Sequence, residues 1–253
     1  MILDEFKLNG KVALVTGAGT GLGQGICIGL AEAGADIVGI DNHEMPETKA
    51  QIEARDHHFL PVVANLMSIE PIHGILNQVL RNFGRVDILV NNAGIARKAD
   101  ALEVTEKDWD DVMNLNVKTV FFLSQAVAKQ FIKQGTCGKI INITSIHPFH
   151  GGFQISPFTT GKSGVTGITR MLANEWAKHN ININAIAPGY IATESTSWLR
   201  SNEHRNAEIL TRIPTGRWGT AGDIQGAAVF LASNASNYIN GYTIAVDGGW
   251  SAR

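Results

Sequence analysis

Four glycines, at positions 17, 19, 21 and 23, follow the β-branched run at residues 12–16. Glycines let a backbone come close to a pyrophosphate, and a helix that starts just after them supplies amide donors and a favourable dipole. The spacing is GxxxGxG at Gly17, Gly21 and Gly23, because other residues stand where a strict GxGxxG pattern needs its third glycine. Such turns also occur in purely structural roles, so the loop alone is a weak indicator of a nucleotide site.

Asp41 ends the second predicted strand, 18 residues after Gly23. An acid about 20 residues beyond such a loop binds the adenosine ribose hydroxyls. Its negative charge repels a 2′-phosphate, and its neighbours Asn42 and His43 carry no fixed positive charge. The loop and Asp41 together predict NAD, and not NADP, as the cofactor. The alternative is that Asp41 is an ordinary turn residue.

Short apolar runs alternate with longer helical patterns, and these elements must position the glycine loop and Asp41. The predicted strands are residues 12–16, 37–41, 59–64, 86–90, 139–144, 181–187 and 243–246. The predicted helices are residues 23–33, 69–83, 106–134, 162–179 and 221–232. Continuously apolar strands separated by helices indicate the α/β class. We expect a single doubly wound Rossmann-type domain, with a seven-stranded parallel sheet and helices on both faces.

One domain accounts for residues 1–253, and a single segment breaks the alternation of strands and helices. Residues 188–219 form a polar, helix-capable insertion between the end of a strand and the last helix. Ligands of open α/β sheets lie beyond the carboxyl ends of the strands. The insertion is therefore predicted to be a lid over the substrate.

Composition excludes several classes of partner. The net charge is −2 and no cluster of lysines or arginines occurs, so we expect no binding to nucleic acid. Asp4 and Glu5 stand where a signal peptide needs a basic start, and no apolar run reaches a length of about 18 residues. We expect a cytoplasmic protein without a membrane partner. Cys27 and Cys137 lie far apart, as is typical of a reducing compartment.

Three other catalytic chemistries lack their residues. The sequence contains no HExxH motif and no Cys/His cluster, so no metal site is predicted. Ser145 is not surrounded by the GxSxG elbow of a serine hydrolase. The glycine-rich turn lacks the lysine of a P-loop.

Motifs along the whole chain resemble the short-chain dehydrogenase/reductase family. They are Thr16-Gly17, Asn91-Asn92-Ala93-Gly94, Asn116, Ser145, Lys162 and Pro188-Gly189. Residues 107–112, 173–178, 212–219 and 240–243 are similar to the family's dehydrogenases of 2-deoxy-D-gluconate and 2-dehydro-3-deoxy-D-gluconate. The resemblance implies NAD-dependent interconversion of a secondary alcohol and a ketone on a sugar acid. The alternative is a catalytically silent NAD-binding protein of the same fold.

The resemblance also implies roles for individual residues. Asn116 would hold a proton-relay water, Ser145 would orient the substrate oxygen, and Lys162 would bind the nicotinamide ribose. Asn65 stands where the family usually has an aspartate that accepts from the adenine amino group, and its amide oxygen can accept a weaker bond. The implied cofactor-binding residues are Gly17, Thr20, Gly21, Leu22, Gly23, Asp41, Asn65, Leu66, Asn91, Ala93, Gly94, Lys162, Pro188, Gly189, Ile191 and Thr193.

Phe158 departs from the family pattern at the general acid/base. The family places a tyrosine four residues before the lysine and 13 after the serine, and both counts lead to Phe158. A tyrosine there would lie one helical turn from Lys162, whose ammonium would lower the phenol pKa from ~10. Phenylalanine has no proton to exchange, and general acid/base catalysis is typically worth ~10²–10⁴-fold. We expect an intact fold and cofactor site with severely slowed turnover.

Two explanations of Phe158 are open. One is a Tyr-to-Phe substitution in an otherwise active dehydrogenase, which the retained Asn116 and Lys162 favour. The other is a natural relative that binds NAD without turnover. His147 and Tyr190 are the candidates for a replacement proton donor, although lining the substrate pocket is the expected role of both.

A sugar-acid substrate needs a cation for its carboxylate, and Arg97 is the first candidate. The full set of predicted substrate residues is Arg97, Ser145, His147, Gln154, Tyr190, Trp198 and Arg217. For Trp198 and Arg217 a role as surface or lid side chains is an equal alternative. The helices predicted at residues 106–134 and 162–179 carry apolar side chains on more than one face. These additional apolar faces, together with the family resemblance, predict a homotetramer.

Overall fold

Seven strands form the framework of the protein, whose computed structural model describes residues 1–252. They are β1 (Val12–Thr16), β2 (Asp36–Asp41), β3 (Phe59–Val63), β4 (Ile88–Asn91), β5 (Gly138–Ile143), β6 (Ile181–Pro188) and β7 (Thr243–Val246). They pair in parallel in the order β3-β2-β1-β4-β5-β6-β7. The predicted seven-stranded parallel sheet is confirmed, and each predicted strand end lies within two residues of the observed one.

Ten α-helices connect or follow these strands. They are α1 (Gly21–Glu32), α2 (Pro46–Glu53), α3 (Ile72–Phe83), α4 (Glu106–Met113), α5 (Val120–Gln134), α6 (His147–His150), α7 (Ser156–Trp176), α8 (Ser197–Arg200), α9 (Glu203–Arg212) and α10 (Ala221–Ala232). A π-helical turn, Asn114–Thr119, joins α4 to α5. Short 3₁₀ turns lie at Ile2–Phe6, Ala177–His179, Glu194–Thr196, Asn234–Ser236 and Trp250–Ala252. Within residues 1–252 no helix has the length and apolarity needed to cross a bilayer.

The two faces of the sheet bury separate hydrophobic cores, because alternate side chains of a strand point to opposite faces. On one face Ala13 and Val15 of β1 pack with α1 and α10. On the other, Val12 and Leu14 pack with α3 and α5. All four of these β1 side chains are buried. Helices on both faces confirm the doubly wound architecture.

The helices differ from the sequence expectation in several places, among them the start of α3 at Ile72 instead of 69 and the short helix α6, which the sequence does not predict. α7 begins at Ser156, six residues before the predicted start at 162, because Pro157 in its first turn is well suited to a helix N-terminus. The predicted helix at 106–134 is interrupted by the π-helical turn. α2 was not predicted, since eight mostly polar residues carry little helical periodicity.

The strand order brings the chemistry-bearing segments to one edge of the sheet. The chain winds outward from β1 through β2 to β3 and then returns to place β4 on the other side of β1. The carboxyl ends of β1 and β4 therefore diverge at the switch point where doubly wound sheets bind ligands. The segments after β1, β2, β4, β5 and β6 all face the same cavity.

Candidate active site

A cavity of about 890 Å³ lies at the carboxyl edge of the sheet. It collects 20 of the residues predicted from the sequence. These are Gly17, Thr20, Gly21, Leu22, Gly23, Asp41, Asn65, Leu66, Ala93, Gly94, Arg97, Ser145, His147, Phe158, Lys162, Pro188, Gly189, Tyr190, Ile191 and Thr193. Their joint presence makes this cavity the candidate active site.

The glycine loop between β1 and α1 exposes backbone because side chains cannot fit there. Gly17 and Gly21 adopt φ values of 66° and 57°, in the left-handed region that favours glycine. A Cβ atom on Gly23 would clash with the carbonyl oxygen of Gly17. α1 begins at Gly21, so its free N–H groups point toward the cavity. The arrangement can hold a phosphate group against the helix N-terminus.

Asp41 fixes the shape of this loop from the end of β2. Its Oδ2 accepts from the Gly19 N–H at 2.9 Å and its Oδ1 accepts from the Asn42 N–H at 2.8 Å. A carboxylate oxygen can accept more than one hydrogen bond, so both oxygens retain capacity for hydroxyl donors. Asn65 is exposed at the same end of the cavity, where its Oδ1 accepts from the Met67 N–H at 3.0 Å.

Lys162 and Ser145 meet beside the end of β5. Lys162 is buried, and its Nζ donates to the Ile143 carbonyl oxygen at 2.6 Å. Burial lowers the pKa of Lys162 to about 8. The Ser145 Oγ accepts from the His147 N–H at 3.3 Å, which leaves its own proton free to be donated. An ammonium group and a hydroxyl are thus held in a largely dehydrated site.

Phe158 lines the cavity one turn before Lys162 on α7. The Lys162 Nζ lies 5.7 Å from the centroid of the Phe158 ring. A hydroxyl on this ring would enter the site, but phenylalanine brings only carbon and hydrogen.

Asn116 lies behind the cavity, in the π-helical turn. Its Oδ1 accepts from the Ile95 N–H and its Nδ2 donates to the Ile95 carbonyl oxygen, both at 2.9 Å. The side chain is completely buried. π-helical turns inside helices often occur at functional sites, and here the extra residue points the Asn116 amide at the segment after β4.

Arg97 reaches the cavity from the segment after β4, close to two acids of α4. Its Nε lies 3.5 Å from the Asp108 Oδ1 and its Nη2 lies 3.6 Å from the Asp111 Oδ2. These are long ion pairs on a side chain that is 44% exposed. The guanidinium therefore has donors left for an anion.

The structure keeps five predicted residues away from the cavity lining. Asn116 is one, and Asn91 is buried with its Nδ2 donating to Ser124 and Asn142. Arg217 forms a two-bond ion pair with Asp223. The Trp198 ring is half exposed and lies under the Lys98 ammonium, while Gln154 adopts a left-handed φ of 59° in the loop before α7. For Arg217 and Trp198 these positions fit the alternative of surface and lid side chains.

Asn92 belongs to the cavity, although sequence reasoning assigns it no individual role. It lines the cavity, and its Nδ2 donates to the carbonyl oxygens of Thr16 and Gly17 at 2.9 and 3.1 Å. The Thr16 Oγ1 in turn accepts from the Asn92 and Ala93 N–H groups. The Asn91-Asn92 pair carries the signal, because consecutive side chains of a strand point in opposite directions: Asn91 toward Ser124 of α5 and Asn92 toward the loop after β1.

Comparison with known proteins independently supports the resemblance identified from the sequence motifs. The chain matches the family profile described as enoyl-(acyl carrier protein) reductase over residues 17–251. It is 61% identical over 253 residues to 2-dehydro-3-deoxy-D-gluconate 5-dehydrogenase of Escherichia coli (strain K12), covering 100% of both chains. The chain belongs to the short-chain dehydrogenase/reductase family.

Other short-chain dehydrogenases show the same relationship. The 2-dehydro-3-deoxy-D-gluconate 5-dehydrogenase of Bacillus subtilis (strain 168) is 47% identical over 251 residues, covering 99% of this chain and 98% of that protein. A crystal structure of gluconate 5-dehydrogenase from Burkholderia cenocepacia J2315, in complex with NADP and tartrate, has a TM-score of 0.95 at 36% identity, with 100% of each chain covered. Family membership thus agrees with the fold and with the resemblance identified from the sequence.

Proposed function

We propose that this protein is a dehydrogenase that interconverts a secondary alcohol and a ketone on a sugar acid of the 2-dehydro-3-deoxy-D-gluconate or 2-deoxy-D-gluconate type. One observation carries the proposal: a single cavity joins a glycine loop and Asp41 at one end to Ser145, Lys162 and Arg97 at the other. The names of the E. coli and B. subtilis relatives support the substrate class. The Burkholderia gluconate 5-dehydrogenase was crystallised in complex with tartrate, a hydroxy acid, and this agrees with the proposed substrate class.

The residues present fit a nicotinamide dinucleotide. The loop at Gly17 to Gly23 would hold the pyrophosphate with its backbone N–H groups, because glycine lets the loop fold tightly against its own backbone and Asn92, where a Cβ atom would clash. Asp41 would accept from the adenosine ribose and Lys162 would donate to the nicotinamide ribose, with Ile191 and Thr193 beside the carboxamide. When bound, the nicotinamide supplies the hydride acceptor or donor of the reaction.

We propose NAD as the preferred dinucleotide, although the Burkholderia relative was crystallised with NADP. The support is electrostatic. Among the described residues, the lysines and arginines lining the cavity are Arg97 and Lys162. Arg97 follows β4 and Lys162 lies by the end of β5, whereas Asp41 ends β2, with β1 between β2 and β4. A 2′-phosphate would therefore meet the Asp41 carboxylate without a compensating lysine or arginine.

Ser145 and Arg97 would position the substrate. The Ser145 hydroxyl would donate to the alcohol or ketone oxygen, and the Arg97 guanidinium would bind the carboxylate. Residues 188–219, which contain α8 and α9, would cover the substrate as a lid. The proton normally exchanged by a tyrosine has no donor at Phe158, so the proposed reaction is slow in this chain.

The same reasoning extends to assembly as a homotetramer. Trp109 on α4, Ile132 on α5 and Met171 on α7 are 38%, 47% and 38% exposed. Apolar side chains exposed along neighbouring helices are typical of subunit contacts.

A direct test compares the chain with its Phe158→Tyr variant. NADH absorbance would be followed with NAD and a panel of deoxy and keto sugar acids. We expect Phe158→Tyr to raise kcat by ~10²–10⁴-fold at unchanged NAD affinity, because it restores a proton donor one turn from Lys162. Phe153→Tyr is the matched control, since Phe153 is 76% exposed and lies outside the cavity.

The outcome separates the two candidate functions. If neither protein turns over any panel member while calorimetry shows that NAD binds, the silent NAD-binding alternative is supported and the dehydrogenase proposal fails. If Phe153→Tyr gains as much rate as Phe158→Tyr, the assigned position of the proton donor is wrong.

A further inference from the structure

His147 lines the cavity next to Phe158, the residue that stands at the position of the family's tyrosine. It begins α6, two residues after Ser145, and it lines the cavity. Its N–H donates to the Ser145 Oγ at 3.3 Å, so the same residue is tied to the group that would orient the substrate oxygen. Its ring centroid lies 6.0 Å from that of Phe158 in an edge-to-face contact. The imidazole therefore stands directly beside the ring that lacks a hydroxyl.

The hydrogen bond of the His147 ring decides which nitrogen is basic. The Nδ1 atom lies 3.2 Å from the Gly151 carbonyl oxygen, and a carbonyl oxygen can only accept. Nδ1 therefore carries the proton, and Nε2 keeps its lone pair. Among residues 1–252 no group forms a hydrogen bond with Nε2. The loop thus presents a neutral imidazole with its basic nitrogen available to a ligand.

The surroundings of the ring favour the neutral form. Burial lowers the pKa of His147 below its usual value of 6.5, and the neighbouring His150 on the same helix acts in the same direction. Lys162 on α7, beyond Phe158, carries positive charge, and Tyr190 after β6 is uncharged. Arg205 and Arg212 of α9 act on Tyr190, and the Asp247 carboxylate acts on His150. Within the part of the chain that the structure describes, no carboxylate acts directly on the His147 imidazole to hold a proton there.

Two other groups are poorly suited to the same task. Burial raises the pKa of Tyr190, and its ring is packed between Trp218 and Trp250 at centroid distances of 5.4 and 4.6 Å. The Lys162 Nζ donates to the Ile143 carbonyl oxygen at 2.6 Å, and the proposed function assigns its remaining donors to the nicotinamide ribose. The His147 ring is also packed against aromatic side chains, but burial lowers its pKa and so favours the basic form of Nε2.

We propose that His147 Nε2 is the general acid/base of this chain, an inference that rests on the proposed dehydrogenase function. In the oxidative direction the substrate O–H bond breaks and its proton goes to Nε2. The C–H bond breaks with its electron pair, which leaves as hydride to oxidised nicotinamide dinucleotide, and a C=O bond forms. In the reductive direction the imidazolium returns the proton to the new alkoxide oxygen. The Ser145 hydroxyl donates to the substrate oxygen in both directions.

This role predicts opposite pH dependences for the two directions. Oxidation needs the neutral imidazole, so its rate rises with pH and reaches a plateau above a midpoint below 6.5. Reduction needs the imidazolium, so its rate falls as pH rises through the same midpoint. A base with the pKa of Lys162 would place the midpoint near 8 instead.

The test is a double-mutant comparison of His147→Asn in the Phe158 chain and in Phe158→Tyr. Asparagine keeps an N–H donor for the Gly151 oxygen and removes Nε2. We expect kcat to fall about 10²-fold in the Phe158 chain but less than about 3-fold beside the restored tyrosine. His150→Asn is the matched control, because His150 lies on the same turn but outside the cavity, and its kcat plateau should not change.

A second readout does not depend on turnover. Nitrogen-15 NMR of the imidazole should show a proton on Nδ1 and none on Nε2 of His147, with a titration midpoint that matches the pH profile of oxidation. A proton on Nε2 at neutral pH would overturn the proposal.

The kinetic outcomes are separable. If His147→Asn lowers kcat equally in the Phe158 chain and in Phe158→Tyr, the role of His147 is purely structural. If the pH profile of oxidation has a midpoint near 8 that remains in His147→Asn, the proton is transferred to Lys162. If Phe158→Tyr turns over and the Phe158 chain does not exceed its His147→Asn variant, this proposal fails and the proposed function stands. If Phe158→Tyr is also inert, the proposed function fails and this role fails with it.

Discussion

The Asp41 carboxylate should set the dinucleotide preference, and Asp41→Asn isolates its charge. Asparagine keeps an oxygen that can accept from the Gly19 N–H, so the loop should hold its shape. Two unit charges about 4 Å apart repel by ~1 kcal/mol in water and by ~4 kcal/mol at an effective dielectric constant near 20. The Asp41 side chain is 19% exposed, which places it between these limits. We take ~2 kcal/mol, or roughly a 30-fold higher dissociation constant for NADP than for NAD.

Calorimetric titration with NAD and NADP measures this ratio directly. In Asp41→Asn we expect NADP to approach NAD in affinity, while NAD itself loses only a few-fold because a charge-assisted hydrogen bond becomes a neutral one. Raising the salt concentration should lower the ratio in the parent chain, since exposed charges are screened. Asp36→Asn, at the opposite end of β2, is the control. Equal affinities in the parent, or an unchanged ratio in Asp41→Asn, would refute the electrostatic argument.

Three further predictions follow from the same site and surface. Arg97→Met should raise the substrate KM without changing NAD affinity, and equal loss of both would reject the assignment of Arg97 to the carboxylate. Lys162→Met should raise Tm at pH 7 by roughly 2–12 °C, because burial of a lysine whose pKa falls from 10.5 to about 8 costs about 1–3 kcal/mol. Between pH 8 and 10.5 Lys162 is protonated in the unfolded parent chain but deprotonated in the folded one. The parent chain therefore gains stability as pH rises through that window, and the difference in Tm between parent and variant should shrink by pH 10. Light scattering should give a tetramer at micromolar concentration, and a monomer would contradict the assembly argument.

The parts of the fold that sequence predicts well are those with strong local periodicity. The sequence predicts the observed bounds of Val12–Thr16, because a buried parallel strand is a continuous apolar run, and those of the partly exposed Thr243–Val246, because most of its residues are β-branched. The start of α7 at Ser156 was missed, because Phe158 to Gly161 give little amphipathic signal before Lys162. The π-helical turn at Asn114–Thr119 depends on contact with the segment after β4, which no local pattern shows.

The site was predictable where a side chain must face the ligand and less so where it supports the backbone. The glycine loop and Asp41 follow from spacing, and the structure brings them to one cavity. The position of Arg217 follows from its ion pair with Asp223. This contact joins residues 188–219 to α10, and no local sequence pattern shows it. The tautomer of His147 depends on the Gly151 carbonyl oxygen, and thus on the turn that closes α6.

The amide of Asn116 imitates a peptide group of a strand. Its oxygen accepts from the Ile95 N–H and its nitrogen donates to the Ile95 C=O, as a neighbouring strand would in a sheet. One side chain therefore holds the backbone in place just after β4 ends. Ile95, the residue held by this pair of hydrogen bonds, lies two residues before Arg97. Removing the Asn116 amide would free the segment that carries the Arg97 guanidinium. The substrate would then be positioned less precisely, while the sheet itself would stay intact.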